Sequence, residues 1–243
     1  MKKLLFCAVF FPVIIWANGR TLTGSTGYIM VPNAEALRYQ EWNMGLSAFS
    51  AGASATYTDP AYWRYNVGLG WSEWLELTFG GRSEREGLFS NAKWYGAMRD
   101  DDDPMLVAFG WENLSSKGTY TFREYPSVFM VITKKFVGGH SISMGAAGRY
   151  IEPRGEMQAS MLAGGELFTS EKVSWVADAL AYEDNKYNAN FGLRIYTTNR
   201  MYFSLLAINL VRNSTKVDID GNGDDDEAHP FCGVLTMTIN GIL

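Results

Sequence analysis

Hydrophobic and polar side chains alternate along most of this chain with a period of two. In the stretch YWRYNVGLGWSEWLELTFGG, residues 62–81, large apolar side chains fill every second position, with Arg, Asn, Glu, Thr or Gly between them. Successive side chains of an extended strand point to opposite faces of a sheet, so this stretch predicts two strands, each apolar on one face only. The two residues Ser72 and Glu73 between them predict a tight hairpin turn.

The same alternation predicts about twelve strands in the whole chain. They lie at residues 42–48, 62–71, 75–81, 91–98, 105–112, 128–136, 141–150, 157–167, 173–182, 187–196, 201–211 and 231–242. The segment 128–136 is apolar on both faces, so its orientation in a sheet stays open. None of these segments has a helical period, and the pattern therefore indicates an all-β fold.

The connections between the predicted strands alternate in length. Long connections occur near residues 50–61, 82–88, 113–125 and 213–230, and short ones lie between them along the chain. Short turns at one end and long loops at the other are typical of β-barrels in bacterial outer membranes. Such barrels have an even number of strands, so that the last strand ends at the same end of the barrel as the first strand begins. The count of about twelve predicted strands agrees with this rule.

Two folds compete to explain an apolar strand face. In a secreted β-sandwich or lipocalin-like barrel that face points to a core, whereas in an outer-membrane barrel it points to lipid. The second fold is favoured by the loop pattern, by glycines on the polar face, and by Trp and Tyr near the strand ends, where such rings meet lipid headgroups. We predict an antiparallel transmembrane β-barrel of about 12 strands, with about 10–14 compatible with the pattern.

The N-terminus has the features of an export signal. Met1 to Lys3 is positively charged, residues 4–16 are almost wholly apolar, and Ala17 and Gly19 supply small residues for a signal peptidase. The apolar run is shorter than the roughly 20 residues that a transmembrane helix needs. We therefore predict a signal peptide over 1–19, an N-terminal segment over 20–39 that caps or enters the barrel, and the barrel itself over 40–243, in the bacterial outer membrane.

Composition narrows the classes of function. The 243 residues are 47% hydrophobic, 14% aromatic and 19% charged, which suits one folded domain. The net charge of -5 gives no basic face for a nucleic acid partner. Cys7 falls in the predicted signal, so Cys232 has no second cysteine with which to form an intrachain disulfide.

The predicted location in the outer membrane also indicates the binding partners. We expect these to be outer-membrane lipid and lipopolysaccharide.

Charged residues on the polar strand faces should line the lumen. These residues are Arg64, Glu76, Lys93, Arg149, Asp178 and Arg194. Because both signs are present, two interpretations stay open. The charges pair across the interior and make it rigid, or they line a narrow water path.

The acidic stretch DIDGNGDDDE, starting at Asp218, resembles the first half of a calcium-binding loop. The candidate ligands for Ca²⁺ are Asp218, Asp220, Asn222, Asp224 and Asp226. The twelfth position is His229 instead of the bidentate Glu of such loops. A solvated acidic loop, and divalent cations bridging lipopolysaccharide phosphates, remain alternatives.

A lipid-modifying enzyme is the least supported class. The chain has two histidines, His140 and His229, and the serines beside the first, Ser141 and Ser143, project to the opposite strand face. A glycine-framed nucleophile turn is absent. We therefore expect no enzymatic activity and no catalytic residues.

The segment GSTGYIMVPNAEALRYQEWNMGLS, residues 24–47, resembles the opening of YjbH-type outer-membrane proteins, a family associated with exopolysaccharide. The resemblance is carried by Gly24, Gly27, Pro32, Ala34 and Gly45 and is confined to this segment. It implies an outer-membrane barrel with an accessory role in polysaccharide export or envelope maintenance. Within the segment, the residues themselves predict a short strand ended by Pro32 and then a turn of helix.

Three hypotheses of function follow. The first is an envelope component linked to polysaccharide export or to small-solute passage, in the manner of a porin. The second is a non-conducting surface barrel whose acidic loop binds divalent cations, lipopolysaccharide or a partner. The third is the lipid-modifying enzyme.

Overall fold

The computed structural model describes residues 19–50, 62–82, 88–97, 105–115, 126–151, 155–183, 187–212, 216–217, 226–227 and 232–243. The strands are β1 (Glu41–Phe49), β2 (Tyr62–Ser72), β3 (Leu75–Arg82), β4 (Leu88–Ala97), β5 (Met105–Ser115), β6 (Ser127–Lys135), β7 (Ser141–Ile151), β8 (Glu156–Ser170), β9 (Val173–Tyr182), β10 (Tyr187–Thr198), β11 (Met201–Arg212), β12 (Lys216–Val217), β13 (Asp226–Glu227) and β14 (Cys232–Ile242). Among these residues, no helix is long and apolar enough to cross a membrane.

Twelve of these strands form one closed antiparallel barrel. Each of β1 to β10 pairs with the next strand in sequence, and β14 pairs with both β11 and β1. The seam between β1 and β14 runs in register from Glu41↔Ile242 to Phe49↔Val234. The prediction of an all-β barrel of about twelve strands is therefore confirmed. The two short strands β12 and β13 pair only with each other.

The two faces of the barrel wall differ in polarity, as the alternation predicts. On β2, Trp63, Tyr65 and Val67 are exposed on the outside, whereas Arg64 and Asn66 are buried inside. The orientation of segment 128–136 is settled by β6, where Phe129 and Val131 face inward. The residues that alternate with them, Val128, Met130 and Ile132, are exposed on the outside. Apolar side chains therefore occupy both faces of this strand.

The connections define two ends of the barrel. We call one the turn end, because it carries the short connections 73–74, 136–140, 171–172 and 199–200 and also the start of β1 and the end of β14. The opposite end is the loop end. The hairpin between β2 and β3 turns at Glu73 and Trp74, not at Ser72 and Glu73 as predicted, because a register shift after Gly70 carries β2 on through Ser72.

Residues 19–40, which we call the plug, lie inside the barrel as far as Leu37, and residues 38–40 are exposed. Isolated bridges Arg20↔Thr26 and Gly27↔Pro32 fold the plug back on itself. The helical turn predicted after Pro32 is wrong, because residues 33–38 have no helical structure and follow the barrel wall. The plug leaves at the turn end, where the Arg38 carbonyl passes so close to Gly70 that any Cβ there would collide with it.

Candidate functional site in the barrel lumen

All six charged residues expected in the lumen have their side chains inside the barrel, and none is more than 9% exposed. They are Arg64, Glu76, Lys93, Arg149, Asp178 and Arg194. The period-two pattern places them on the inner face of β2, β3, β4, β7, β9 and β10. Most of their polar contacts are made to the plug and not to each other across the lumen.

Asp178 binds the plug through three consecutive backbone amides. Its Oδ2 accepts the N–H groups of Ile29 at 2.9 Å, Met30 at 2.5 Å and Val31 at 2.8 Å. Its Oδ1 accepts the side-chain amide of Asn190 at 2.7 Å. Successive N–H groups that converge on one oxygen form a concave anion-binding site, so the plug wraps around this carboxylate.

Arg194 holds the same turn of the plug from another side. Its Nη2 donates to the carbonyl oxygens of Arg20 at 3.2 Å, Gly27 at 2.9 Å and Tyr28 at 2.5 Å. Its Nη1 forms an ion pair with Glu166 Oε2 at 2.8 Å. Asp178 therefore satisfies donors of the plug, while Arg194 satisfies acceptors.

Lys93 and Glu76 form a second attachment point. The Lys93 Nζ lies 3.8 Å from Glu76 Oε2 and donates to the carbonyl oxygens of Thr26 at 3.0 Å and Asn33 at 3.3 Å. Glu76 accepts the backbone N–H groups of Thr26 and Leu37, both at 2.9 Å. Because the ion pair is fully buried, each charge depends on these plug contacts to offset the loss of water.

The remaining two arginines lie towards the loop end. Arg64 donates to the Leu22 carbonyl at 2.8 Å and so contacts the plug. Arg149 donates to Gln158 Oε1 at 2.6 Å and lies over the Tyr182 ring, with its Cζ 4.7 Å from the ring centroid. Arg149 thus belongs to the wall above the plug.

Apolar contacts complete the attachment of the plug. The buried cluster contains plug residues Leu22, Tyr28, Ile29, Val31 and Ala34 together with wall residues that include Phe129, Val131, Leu162, Val176 and Leu206. The barrel therefore has a packed hydrophobic core on its inside, built on residues of the N-terminal segment. Burial of this kind stabilises a fixed position of the plug in addition to its hydrogen bonds.

Burial changes the ionisation of two plug side chains. Loss of water lowers the pKa of the Arg20 guanidinium to about 10, against the opposing effects of Glu76 and Tyr202. Loss of water also raises the pKa of Tyr28 to about 12, although its hydroxyl contacts Ser141 at 3.1 Å and Ser143 at 2.7 Å. Both shifts reflect how completely the barrel encloses the plug.

A cavity of about 60 Å³ remains between the plug and the loop end. Its floor is formed by Thr23 and Met30 of the plug, and its walls include Glu112, Arg149 and Tyr182. Glu112 accepts a hydrogen bond from the Thr23 hydroxyl at 2.9 Å. The plug thus closes this part of the lumen from below and leaves a small recess above itself.

Sequence reasoning missed Glu166, Glu112 and Arg20 as members of this site. Glu166 and Glu112 follow the same alternation as the six predicted residues, so the period-two pattern was the signal that would have found them. Arg20 lies outside every strand, and nothing in the local pattern indicates that its side chain enters the lumen.

The calcium prediction lies largely outside the described residues. Asp218, Asp220, Asn222 and Asp224 are not described, and Asp226 is described only as part of β13. In the part of the chain that is described, no group of three His, Cys, Asp or Glu side chains is placed to hold a metal ion. The predicted signal peptide, 1–19, also lies outside the described residues except for Gly19.

The histidine considered for catalysis occupies a turn. His140 Nδ1 accepts the backbone N–H of Phe168 at 3.0 Å. Ser141 and Ser143 point into the lumen, where their hydroxyls contact Tyr28. His229 lies outside the described residues.

Comparison with known proteins identifies a fold and no family. No protein-family model matches the sequence, and no curated protein matches it. A structure of the NanC porin superposes with a TM-score of 0.51, covering 83% of this chain and 99% of the porin chain at 10% sequence identity. At this identity, the likeness concerns the architecture of the barrel.

Proposed function

We propose that the chain is an outer-membrane β-barrel whose lumen is closed by its own N-terminal segment, so that it conducts no solute in the folded state. The observation that carries this proposal is the attachment of the plug to Asp178, Arg194, Lys93 and Glu76 through buried charged groups. A plug held by these contacts and by an apolar core occupies the space that a water path would need. Its function is then that of a non-enzymatic envelope component.

The outer surface supports a position in a membrane. Large apolar side chains are exposed around the barrel, among them Val67, Phe109, Met144 and Leu205. Exposed aromatic residues lie near both ends of the barrel. Trp71 and Trp74 are at the turn end and Trp63 is at the loop end. An apolar band between two aromatic girdles is the outer face that an outer-membrane barrel presents to lipid.

Solute passage is the second candidate, and the likeness to a porin structure favours it. In this case the plug must leave the lumen before solute passes. The resemblance to YjbH-type proteins adds envelope polysaccharide as a substrate class. Four of the residues that carry the resemblance, Gly24, Gly27, Pro32 and Ala34, belong to the plug.

Planar-bilayer recording separates the two candidates. The full chain, shown to be folded by heat-modifiable migration on gels, is expected to give no stepwise conductance. A chain lacking residues 20–39 is expected to give steps, because the closure is removed. If that deletion does not fold, the double variant Asp178→Asn/Lys93→Met weakens the attachment with the plug still present. Steady conductance from the folded full chain would contradict closure and favour passage.

A further inference from the structure

Two glycines on the inner face of the wall leave space that the plug occupies. Gly70 lies on β2 and Gly164 on β8, both at inward positions of the period-two pattern. A Cβ at Gly70 would overlap the carbonyl group of Arg38, and a Cβ at Gly164 would overlap the ring of Tyr28. Because Arg38 and Tyr28 belong to the plug, a wall side chain at either position and the plug in its present place exclude each other.

Other glycines of the wall do not have this relationship to the plug. A Cβ at Gly145 of β7 would overlap the Met130 carbonyl of the neighbouring strand, which is part of the wall itself. Among the described residues, no atom lies within 4 Å of the Cβ position at Gly96 of β4. Gly68 meets the plug only through the end of the flexible Arg20 side chain, which can move away.

Gly70 lies where the plug joins the wall. Its carbonyl oxygen accepts the N–H of Gln40 at 3.2 Å, and the Arg38 carbonyl oxygen accepts the N–H of Glu41 at 2.9 Å. Residues 38–41 therefore form a tight turn, in which Gln40 has a φ of 68°, a conformation uncommon for residues other than glycine. The turn could not move away from a side chain at position 70 without losing its hydrogen bond to β2.

The ring of Tyr28 is held against Gly164 in a similar way. Tyr28 is fully buried, and its hydroxyl contacts Ser141 at 3.1 Å and Ser143 at 2.7 Å. The Cβ position at Gly164 also lies 3.2 Å from the Cβ of Asp178, which binds the plug amides that follow Tyr28. A ring displaced from Gly164 would lose its contacts with both serines and pull on this turn of the plug.

We propose that Gly70 and Gly164 are positioning residues for the closed lumen, and that a methyl group at either position displaces the plug from its place in the barrel. The proposal rests on the closure of the lumen by the plug. An extra methyl group in a well-packed interior forces neighbouring atoms to move. The wall strands are paired on both sides, whereas the plug has no regular secondary structure, so the plug is the part that yields.

The accessibility of a cysteine in the plug tests this proposal. Ser25 is 1% exposed, and Ser25→Cys combined with Cys232→Ser places one reporter thiol in the plug. Its maleimide labelling rate is measured on barrels shown to be folded by heat-modifiable migration on gels. Adding Gly70→Ala should raise the labelling rate about tenfold or more, because labelling follows the displaced population. An unchanged rate in folded Gly70→Ala would overturn the proposal.

Two matched controls carry the same glycine-to-alanine change. Gly145→Ala introduces an overlap within the wall, and Gly96→Ala introduces none. Both should leave the labelling rate of the reporter thiol unchanged. An increase in Gly145→Ala equal to that in Gly70→Ala would mean that any disturbance of the barrel loosens the plug, and it would overturn the specific role of Gly70.

The pair of Gly164 and Tyr28 gives an independent test. Gly164→Ala should raise the labelling rate when Tyr28 is present but not in a Tyr28→Ala background, because the ring that it displaces is then absent. Gly70→Ala should raise the rate in both backgrounds, since its overlap is with the plug backbone. Equal increases from Gly164→Ala in the two backgrounds would overturn the proposal. If Gly70→Ala does not migrate as a folded barrel, this pair decides.

The labelling result and the conductance result are separable. Steady conductance from the unmodified folded chain would contradict closure of the lumen, whatever the glycine variants do. Low labelling in Gly70→Ala and Gly164→Ala, together with a silent unmodified chain, would leave closure intact and overturn only the role of the two glycines.

Discussion

The backbone N–H of Val31 donates to the Asp178 carboxylate at 2.8 Å, across 147 residues of sequence. The same oxygen accepts the two preceding amides of the plug. One charged side chain of β9 therefore fixes the position of a segment that has no regular secondary structure of its own. Arg194, Lys93 and Glu76 attach the plug to the wall at further points.

Asp178→Asn should weaken the plug without removing it. The amide oxygen still accepts a hydrogen bond, but the negative charge that attracts three N–H groups is lost, and hydrogen bonds to charged groups contribute about 1.5–3 kcal/mol each. We expect a loss of unfolding free energy of about 1.5–3 kcal/mol. Urea unfolding in detergent, followed by tryptophan fluorescence, measures the change.

Glu183→Gln is the control for Asp178→Asn, because Glu183 is an exposed carboxylate just after the same strand. Its unfolding free energy should stay within about 0.5 kcal/mol of that of the unmodified chain. A similar loss in both variants would show that net charge, and not the plug contact, is responsible.

The ion pair between Lys93 and Glu76 should behave as one unit. Lys93→Met leaves a buried carboxylate without its counter-ion, and removing one partner of such a pair costs about 3–5 kcal/mol. The double variant Lys93→Met/Glu76→Gln should lose less than the sum of the two single variants, with a coupling of about 0.5–3 kcal/mol. A double-mutant cycle by urea unfolding measures it.

Lys172→Met is the control for this cycle, because Lys172 is exposed in the turn before β9. It should change the unfolding free energy little. Additive losses in the double variant would mean that Lys93 and Glu76 act on the plug independently.

The wall of this barrel was predictable from the sequence because a single rule governs it. A strand between lipid and a polar interior must alternate, and the alternation located the strands and the inward position of residues such as Arg64 and Glu76. The alternation rule fails where the pairing of two strands changes register. The register shift after Gly70 moved the hairpin turn by one residue, and period-two reasoning has no means of detecting it.

The plug was not predictable in the same way. Its backbone follows no helical or strand period, since its hydrogen bonds go to side chains of strands far along the chain, such as Asp178 and Arg194. Its apolar residues, among them Ile29 and Val31, indicate burial but not the surface that buries them. Only the closed barrel brings these partners together, so local sequence could not specify the conformation.

Tyr28 should make stability depend on alkaline pH. Its pKa is about 10 in an unfolded chain and about 12 in the folded barrel, so the folded state holds the phenolic proton more tightly. The stabilisation from this proton is complete below pH 10. As the pH rises from 10 through 12, the free energy of unfolding should fall by about 2.7 kcal/mol, because the pKa differs by about two units between the two states. Tyr28→Phe should flatten this decline, as measured by urea unfolding between pH 9 and 12.

Tyr39→Phe provides the comparison for the alkaline experiment, because Tyr39 is 58% exposed. Its pH profile should coincide with that of the unmodified chain. If Tyr28→Phe also leaves the profile unchanged, the Tyr28 proton is not held by the folded barrel.

An arginine on the outer face should be costly only where that face meets the middle of the bilayer. Val67 lies on the outside near the centre of β2, and Trp71 lies on the same face beside the turn. Val67→Arg is expected to cost about 2–4 kcal/mol and Trp71→Arg about 0–1 kcal/mol, the values for the midplane and the interface. Urea unfolding from lipid vesicles measures both, and tryptophans elsewhere in the barrel report each transition. Equal costs at the two positions, or release of the unmodified chain from membranes without detergent, would show that this face does not contact acyl chains.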